Sequence, residues 1–220
     1  MLAWQSRLTA ARARHKARTL LSRYRPYPKQ LEFHTNGLTA QERLLMAANR
    51  VGKTFCGASE LAIHLTGQYP EWWPGRRFDG PISAWAGSDT GETTRDTVQA
   101  NLIGPPAVSD DCGTGAIPGD ALGRITRRIG IADSLDTVEV KHVSGGSSLL
   151  GFKSYDQRRQ KWQGTQRHVV WLDEEPPEDI YVEALTRTNT LPEGGRGIIF
   201  LTFTPLKGMS EVVRNFLGDE

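Results

Sequence analysis

Gly52, Lys53 and Thr54 stand in a row directly after a short apolar run, "ERLLMAA" (42–48), and a polar bend. A phosphate-binding loop needs backbone N–H groups pointing inward, a cation for the β- and γ-phosphates and a hydroxyl for Mg²⁺. In "AANRVGKT" (47–54) the N–H groups of Ala48, Asn49, Arg50, Val51, Gly52, Lys53 and Thr54 can form the cradle. Lys53 would supply the charge and Thr54 the metal ligand. A helix starting here would add an N-terminal dipole that favours anions. The first glycine of the usual pattern is replaced by Ala47, which is tolerated if that position does not need a positive φ. Alone, this degenerate loop is a weak signal, because any loop that happens to contain Gly-Lys-Thr satisfies it. Arg50 in its middle has two open readings, a phosphate contact or a solvent-facing cation.

A second cluster is independent of the first. Val169, Val170, Trp171 and Leu172 form an apolar strand that ends in Asp173 and Glu174. Open parallel sheets bind ligands beyond the carboxyl ends of their strands. Asp173 there would hold Mg²⁺ through water, and Glu174 would orient and activate an attacking water. Alternation along an extended strand end favours Glu174 over Glu175 for this role. The bland alternative is an acidic surface turn after a core strand. The order strand, Gly-Lys-Thr, helix, then apolar strand with Asp-Glu is what a nucleotide hydrolase requires.

Both clusters need a framework. The pattern predicts strands at 42–48, 81–88 ("PISAWAGS"), 167–175 and 197–205 ("GIIFLTFTP"), and helices at 54–64 and 91–103. "TVEVKHV" and "SLLGFKSY" around "SGGS" read as a hairpin. Residues 104–136 are expected to be loops with one short helix. Residues 5–24, rich in Ala, Arg and Leu, should be helical, and the prolines of "RPYPKQ" (25–30) should end that helix. Nearly all-apolar strands alternating with helices predict an α/β fold, a mostly parallel sheet covered on both faces.

The bulk numbers agree with one such domain. The chain has 220 residues, 38% hydrophobic and 24% charged, the balance of an ordinary soluble globular protein. No run approaches the roughly 18 apolar residues of a membrane span, so no membrane partner is expected. Cys56 and Cys112 show no metal-ligand spacing. The whole chain is +2 but its first 31 residues carry +8, so the remainder is −6. This divides the chain into a basic arm, 1–25, and a mildly acidic body, 26–220. The arm packs on the body through Leu20, Leu21 and Tyr24, or offers a surface to nucleic acid or protein; its composition also resembles an Arg-rich transit peptide.

"YPKQLEFH", "AANRVGKT", "SYDQRRQKWQG", "VVWLDEEPP", "ALTRTN" and "FLTFTPLKGMS" follow one another in the order shown by the large terminase subunit of tailed bacteriophages. Over residues 24–217 the chain resembles the ATPase domain of that family, the motor that packages DNA into procapsids. The resemblance implies a P-loop NTPase of the ASCE/RecA-like type using ATP and Mg²⁺. It also implies an adenine contact from Gln30, whose amide both donates and accepts, and a coupling role for Thr202 and Thr204. A finger inserted into the neighbouring subunit's site would come from Arg159, or second from Arg158; such a finger raises turnover roughly 10³–10⁵-fold. Read from the residues alone, the other readings are a turn residue for Gln30, strand packing for the threonines and a solvated loop for the arginines. Trp72, Trp73 and Trp162 read as core or lid packing rather than base-stacking platforms.

Implied partners are double-stranded DNA, the portal of the procapsid, the small terminase subunit and a homo-oligomeric ring, a pentamer when assembled and a monomer in isolation. The implied location is the host bacterial cytoplasm. Full-length members continue into an RNase H-like nuclease with clustered aspartates; no such cluster is evident before Glu220, so DNA cleavage is expected to be absent from this chain. Two other classes compete. A superfamily 1 or 2 helicase shares these motifs but needs a second RecA-like domain. A non-hydrolysing nucleotide-binding assembly module would not need the Asp173–Glu174 pair.

Overall fold

The computed structural model describes residues 20–106, 112–206 and 208–217. Most of the expected 5–24 helix therefore lies outside the described residues; within them it is a single turn, Leu20–Arg23 (α1). Seven strands form one sheet: β1 (Glu42–Met46), β2 (Ser83–Ser88), β3 (Leu122–Arg127), β4 (Leu135–Lys141), β5 (Ser147–Ser154), β6 (Val169–Asp173) and β7 (Ile198–Phe203). Their order is β1-β7-β6-β2-β5-β4-β3. The first five in that order are parallel, and β4 and β3 extend the sheet antiparallel. The hairpin expected around "SGGS" is β4–β5.

Strand alternation divides the core in two. Val169 and Trp171 of β6, with Ile198 and Phe200 of β7, face α3 (Lys53–Thr66) and α4 (91–102). Val170, Leu172, Ile199, Leu201 and Phe203 face α5 (Glu178–Thr188) and α6 (Glu211–Leu217). Because α3 lies against the middle of the sheet, it is buried on almost every side. Gly57 makes that approach possible, since a Cβ there would lie 2.6 Å from the Trp171 ring. The sheet is thus mostly parallel with helices on both faces, as expected. Among the described residues no helix is long and apolar enough to cross a membrane.

One local expectation is corrected; the first helix ends before the prolines of 25–30, as expected, and one further helix was not foreseen. Among the described residues, 104–136 hold loops as expected, but also the edge strand β3 and the start of β4, and no helix. The residues of β3 are exposed or half-buried throughout, so it carries no apolar periodicity to read. Pro28 opens a helix, α2 (Pro28–Asn36), at its first turn, where a missing N–H costs nothing. Tyr24 and Leu21 do pack on the body, while Trp73 and Trp162 are buried in it.

Behind α3 lies a buried ionic cluster. Glu60, 1% exposed, accepts from Arg43 Nη1 at 3.2 Å and from His34 Nδ1 at 2.7 Å, and Arg43 also donates to the Phe33 carbonyl. Burial alone would raise the Glu60 pKa; Arg43 and the hydrogen-bonded histidines outweigh it and hold the group well below the carboxylate range. A carboxylate with a depressed folded pKa stabilises fully above its unfolded value, 4.5, and loses that contribution as pH falls. Arg43→Met should leave Glu60 buried without its cation and cost about 3–5 kcal/mol, read by chemical denaturation at neutral pH. A change below about 1 kcal/mol would show that the cluster tolerates an uncompensated charge.

Candidate active site

The carboxyl ends of β1, β6 and β7 meet at one edge of the sheet. From β1 the chain passes through 47–52 into α3, and the turn is made by two residues with positive φ, Arg50 (63°) and Gly52 (83°). Glycine adopts this geometry without strain; at Arg50 it costs roughly 1–3 kcal/mol. Ala48, Asn49, Arg50 and Val51 are exposed along the loop, and the Gly52 carbonyl accepts the first helical hydrogen bond from Cys56 at 2.9 Å.

Lys53 is buried, and its ammonium is fully occupied. It donates to the carbonyls of Ala47 (2.9 Å) and Ala48 (2.8 Å) and to Thr204 Oγ1 (2.8 Å). Thr204 in turn donates towards the Ala47 carbonyl (3.1 Å) and Asn49 Oδ1 (2.7 Å). Burial lowers the Lys53 pKa, and the charges of Glu174 and Asp173 partly restore it.

Thr54 Oγ1 lies 3.1 and 3.2 Å from the two carboxylate oxygens of Asp173. Thr202, paired with Asp173 in the β6–β7 register, donates to Asp173 Oδ1 at 2.7 Å while accepting from Trp171 Nε1 at 2.7 Å. Asp173 is 1% exposed. Burial, reinforced by the neighbouring Glu174 charge, pushes its pKa up to about 7 despite the hydrogen bonds from Thr202 and Thr54.

Glu174 follows with φ 66°, outside the strand. The expectation rested on extended alternation; the structure instead turns Glu174 by a left-handed kink, held by its N–H to the Thr202 carbonyl at 3.1 Å. Its carboxylate is half-buried, its pKa raised by burial and by Asp89 against the pull of Lys53. Glu175 is buried.

Gln30 is also committed. Its Nε2 donates to the Gly52 carbonyl at 3.2 Å and its Oε1 accepts from the Tyr27 N–H at 3.0 Å. It closes one wall of an open cleft of about 710 Å³ beside the loop, together with Tyr27, Arg50, Val51, Gly52 and Phe55. Arg158 and Arg159 sit on the turn after β5. Arg159 Nε is ion-paired at 2.9 Å with the buried Glu183 of α5, in its own chain. Arg158 is exposed, has φ 62°, and among the described residues no ion pair holds it.

The structure therefore gathers Lys53, Thr54, Asp173, Glu174, Thr202 and Thr204 at one edge, with Gln30 on the flank. Two neighbours escaped the sequence reading. Asp89 follows the apolar strand β2 at the same carboxyl edge, a position that the sheet-edge rule flags. Tyr155 donates to the carbonyls of Asp173 (3.0 Å) and Glu174 (2.9 Å), and nothing in its sequence context signals this. Among the described residues no group of three His, Cys, Asp or Glu is gathered as a metal cage. A hydroxyl and one carboxylate are hard oxygen donors, and such a partial set suits Mg²⁺, which takes its other ligands from water and substrate phosphates.

β7 lies between the phosphate-loop strand β1 and the acidic strand β6, so this is the P-loop NTPase fold of the ASCE/RecA-like type. The family described as "Terminase large subunit, T4likevirus-type, N-terminal" matches residues 44–220, and the chain belongs to that family. It is 42% identical over 215 residues to the terminase large subunit of Salmonella phage P22, covering 90% of this chain and 42% of that protein. The chain thus spans less than half the length of this curated relative. Its fold is similar to a mutant large terminase ATPase domain from Thermus phage P74-26 (TM-score 0.59, 18% identity, 87% of this chain and 69% of that one). It is also similar to the large terminase of a thermophilic bacteriophage in complex with ATP-γ-S (TM-score 0.51, 14% identity, 80% and 38%).

Proposed function

We propose that this chain is the ATPase domain of a DNA-packaging motor, hydrolysing ATP to drive double-stranded DNA into a procapsid. The observation that carries this is Lys53 held ready beside the Thr54–Asp173 pair at the carboxyl edge of the sheet. On nucleotide binding, Lys53 exchanges the Ala47 and Ala48 carbonyls and the Thr204 hydroxyl for β- and γ-phosphate oxygens. The N–H groups of 48–54 and the N-terminus of α3 complete the cradle. Thr54 directly, and Asp173 through water, would hold Mg²⁺, which neutralises charge on the transferring phosphoryl group. Glu174 takes the proton of the attacking water, and the raised pKa of its half-buried carboxylate suits that role.

Thr202 touches Asp173 and Thr204 touches Lys53, so the end of β7 contacts both halves of the site. Loss of the γ-phosphate lets Lys53 return to Thr204, which is the coupling step of this reading. Gln30 positions the loop through Gly52 and, in the bound state, faces the adenine edge, with Tyr27 and Phe55 offering apolar surface beside it.

The competent form in this reading is a homo-oligomeric ring, a pentamer by the family resemblance, seated on the portal of the procapsid and working with the small terminase subunit in the host bacterial cytoplasm. For the donated cation we place Arg158 ahead of Arg159, because Arg159 must first leave Glu183. Residues 1–25 act as a basic arm to the 26–220 domain.

The test is ATP hydrolysis by the chain alone and with procapsids, double-stranded DNA and small subunit. The isolated chain should be a monomer with weak activity, and the assembly should raise turnover. Arg158→Ala should remove most of that rise, of the order of 10³-fold for a finger, and leave the basal rate. Absence of hydrolysis in every mixture would refute the motor assignment.

A further inference from the structure

We propose that Tyr155 is a positioning residue for Glu174, and that it joins the arginine-bearing turn 155–162 to the peptide of the catalytic carboxylate. The inference rests on the reading of Glu174 as that carboxylate.

The geometry is specific. Glu174 is one of four non-glycine residues with positive φ among the described residues, and Arg158 is another. A glutamate does not hold a left-handed backbone without help. Two contacts supply it: the Glu174 N–H on the Thr202 carbonyl, and the Tyr155 hydroxyl, whose one proton is shared between the carbonyls of Asp173 and Glu174. Tyr155 is buried, and its hydroxyl has these two carbonyls as its hydrogen-bond acceptors.

Tyr155 is fixed from its other side by the turn that carries the arginines. Trp162 packs on its ring at 6.0 Å, and the Arg158 N–H bonds the Tyr155 carbonyl at 3.0 Å. The same turn is tied to the β2–α4 loop, where Asp156 N–H bonds the Asp89 carbonyl at 3.2 Å. The side chains of Arg158 and Arg159 are exposed, while Tyr155 and Trp162 are buried. A neighbour that engages those arginines therefore pulls on a segment whose buried end grips the Asp173–Glu174 peptide. Packing alone does not explain the hydroxyl, since the ring would fill the same space without it.

The experiment uses Tyr155→Phe, with Tyr155→Met as a second donor-free variant, each confirmed as folded by its melting curve. Single-turnover hydrolysis at saturating ATP should fall about tenfold in both, with nucleotide affinity within about twofold of the parent. In a Glu174→Gln background, Tyr155→Phe should cause no further loss, because a residue acting through Glu174 cannot act without it. Amide hydrogen exchange of the peptide containing 173–175 should be faster in Tyr155→Phe, a readout independent of turnover. An unchanged rate, an undiminished loss in the Glu174→Gln background, or unchanged exchange at 173–175 would each overturn the proposal. If instead the parent hydrolyses ATP and Glu174→Gln does so equally well, the assignment of Glu174 has failed, while the exchange result still decides whether Tyr155 holds that peptide.

Discussion

A Lys53→Ala chain turns over ATP at least about 10²-fold more slowly than its parent, the usual cost of deleting one preorganised group that meets developing charge. The expectation follows from where the ammonium already sits. Its three donors are used by Ala47, Ala48 and Thr204, all of which phosphate oxygens can replace without moving the backbone. Lys53 also keeps its neighbours more acidic than burial alone would leave them, since its charge opposes the upward shifts of both Asp173 and Glu174. Arginine is not a substitute, because a planar fork cannot occupy the compact seat of an ammonium. Steady-state hydrolysis of the alanine and arginine variants, with circular dichroism to confirm folding, checks this; a wild-type rate from either would remove Lys53 from the mechanism.

Glu174→Gln should separate binding from chemistry. The amide keeps the size of the side chain but cannot accept a proton from water. Loss of a general base costs about 10²–10⁴-fold, so turnover should fall at least about 10²-fold with nucleotide affinity retained. Glu175→Gln should change turnover little, because Glu175 is buried, whereas Glu174 is half-buried and feels the charge of Lys53. Equal loss at Glu175, with Glu174→Gln active, would reverse the two roles.

Much of the framework could be read in advance because it rests on local pattern. Runs such as 169–172 and 198–203 are apolar on both faces, and only a covered parallel sheet uses them. The proximity of Thr54 to Asp173, 119 residues apart, followed from strand ends sharing one edge. What stayed hidden was set by tertiary contact. Strand β3 is defined by pairing with β4 and not by its own residues. Pro28 reads as a breaker until its place at the first turn of a helix is known. The kink at Glu174 depends on a carbonyl of β7 and a hydroxyl from the turn after β5, and neither leaves a mark on "LDEE". The Arg159–Glu183 pair joins a turn to a helix 24 residues away, beyond any local rule.

The central claim is that Lys53, Thr54 and Asp173 form one phosphate and metal site, with Lys53 parked on its own loop until nucleotide arrives. A crystal structure of the Glu174→Gln chain with Mg²⁺ and ATP tests it most directly. The account predicts Lys53 released from Ala47 and Ala48 and placed on the β- and γ-phosphates, and the metal between Thr54 and the Asp173 side of the site. Nucleotide bound elsewhere, or bound at the loop with Lys53 still on the Ala47 and Ala48 carbonyls, would contradict it.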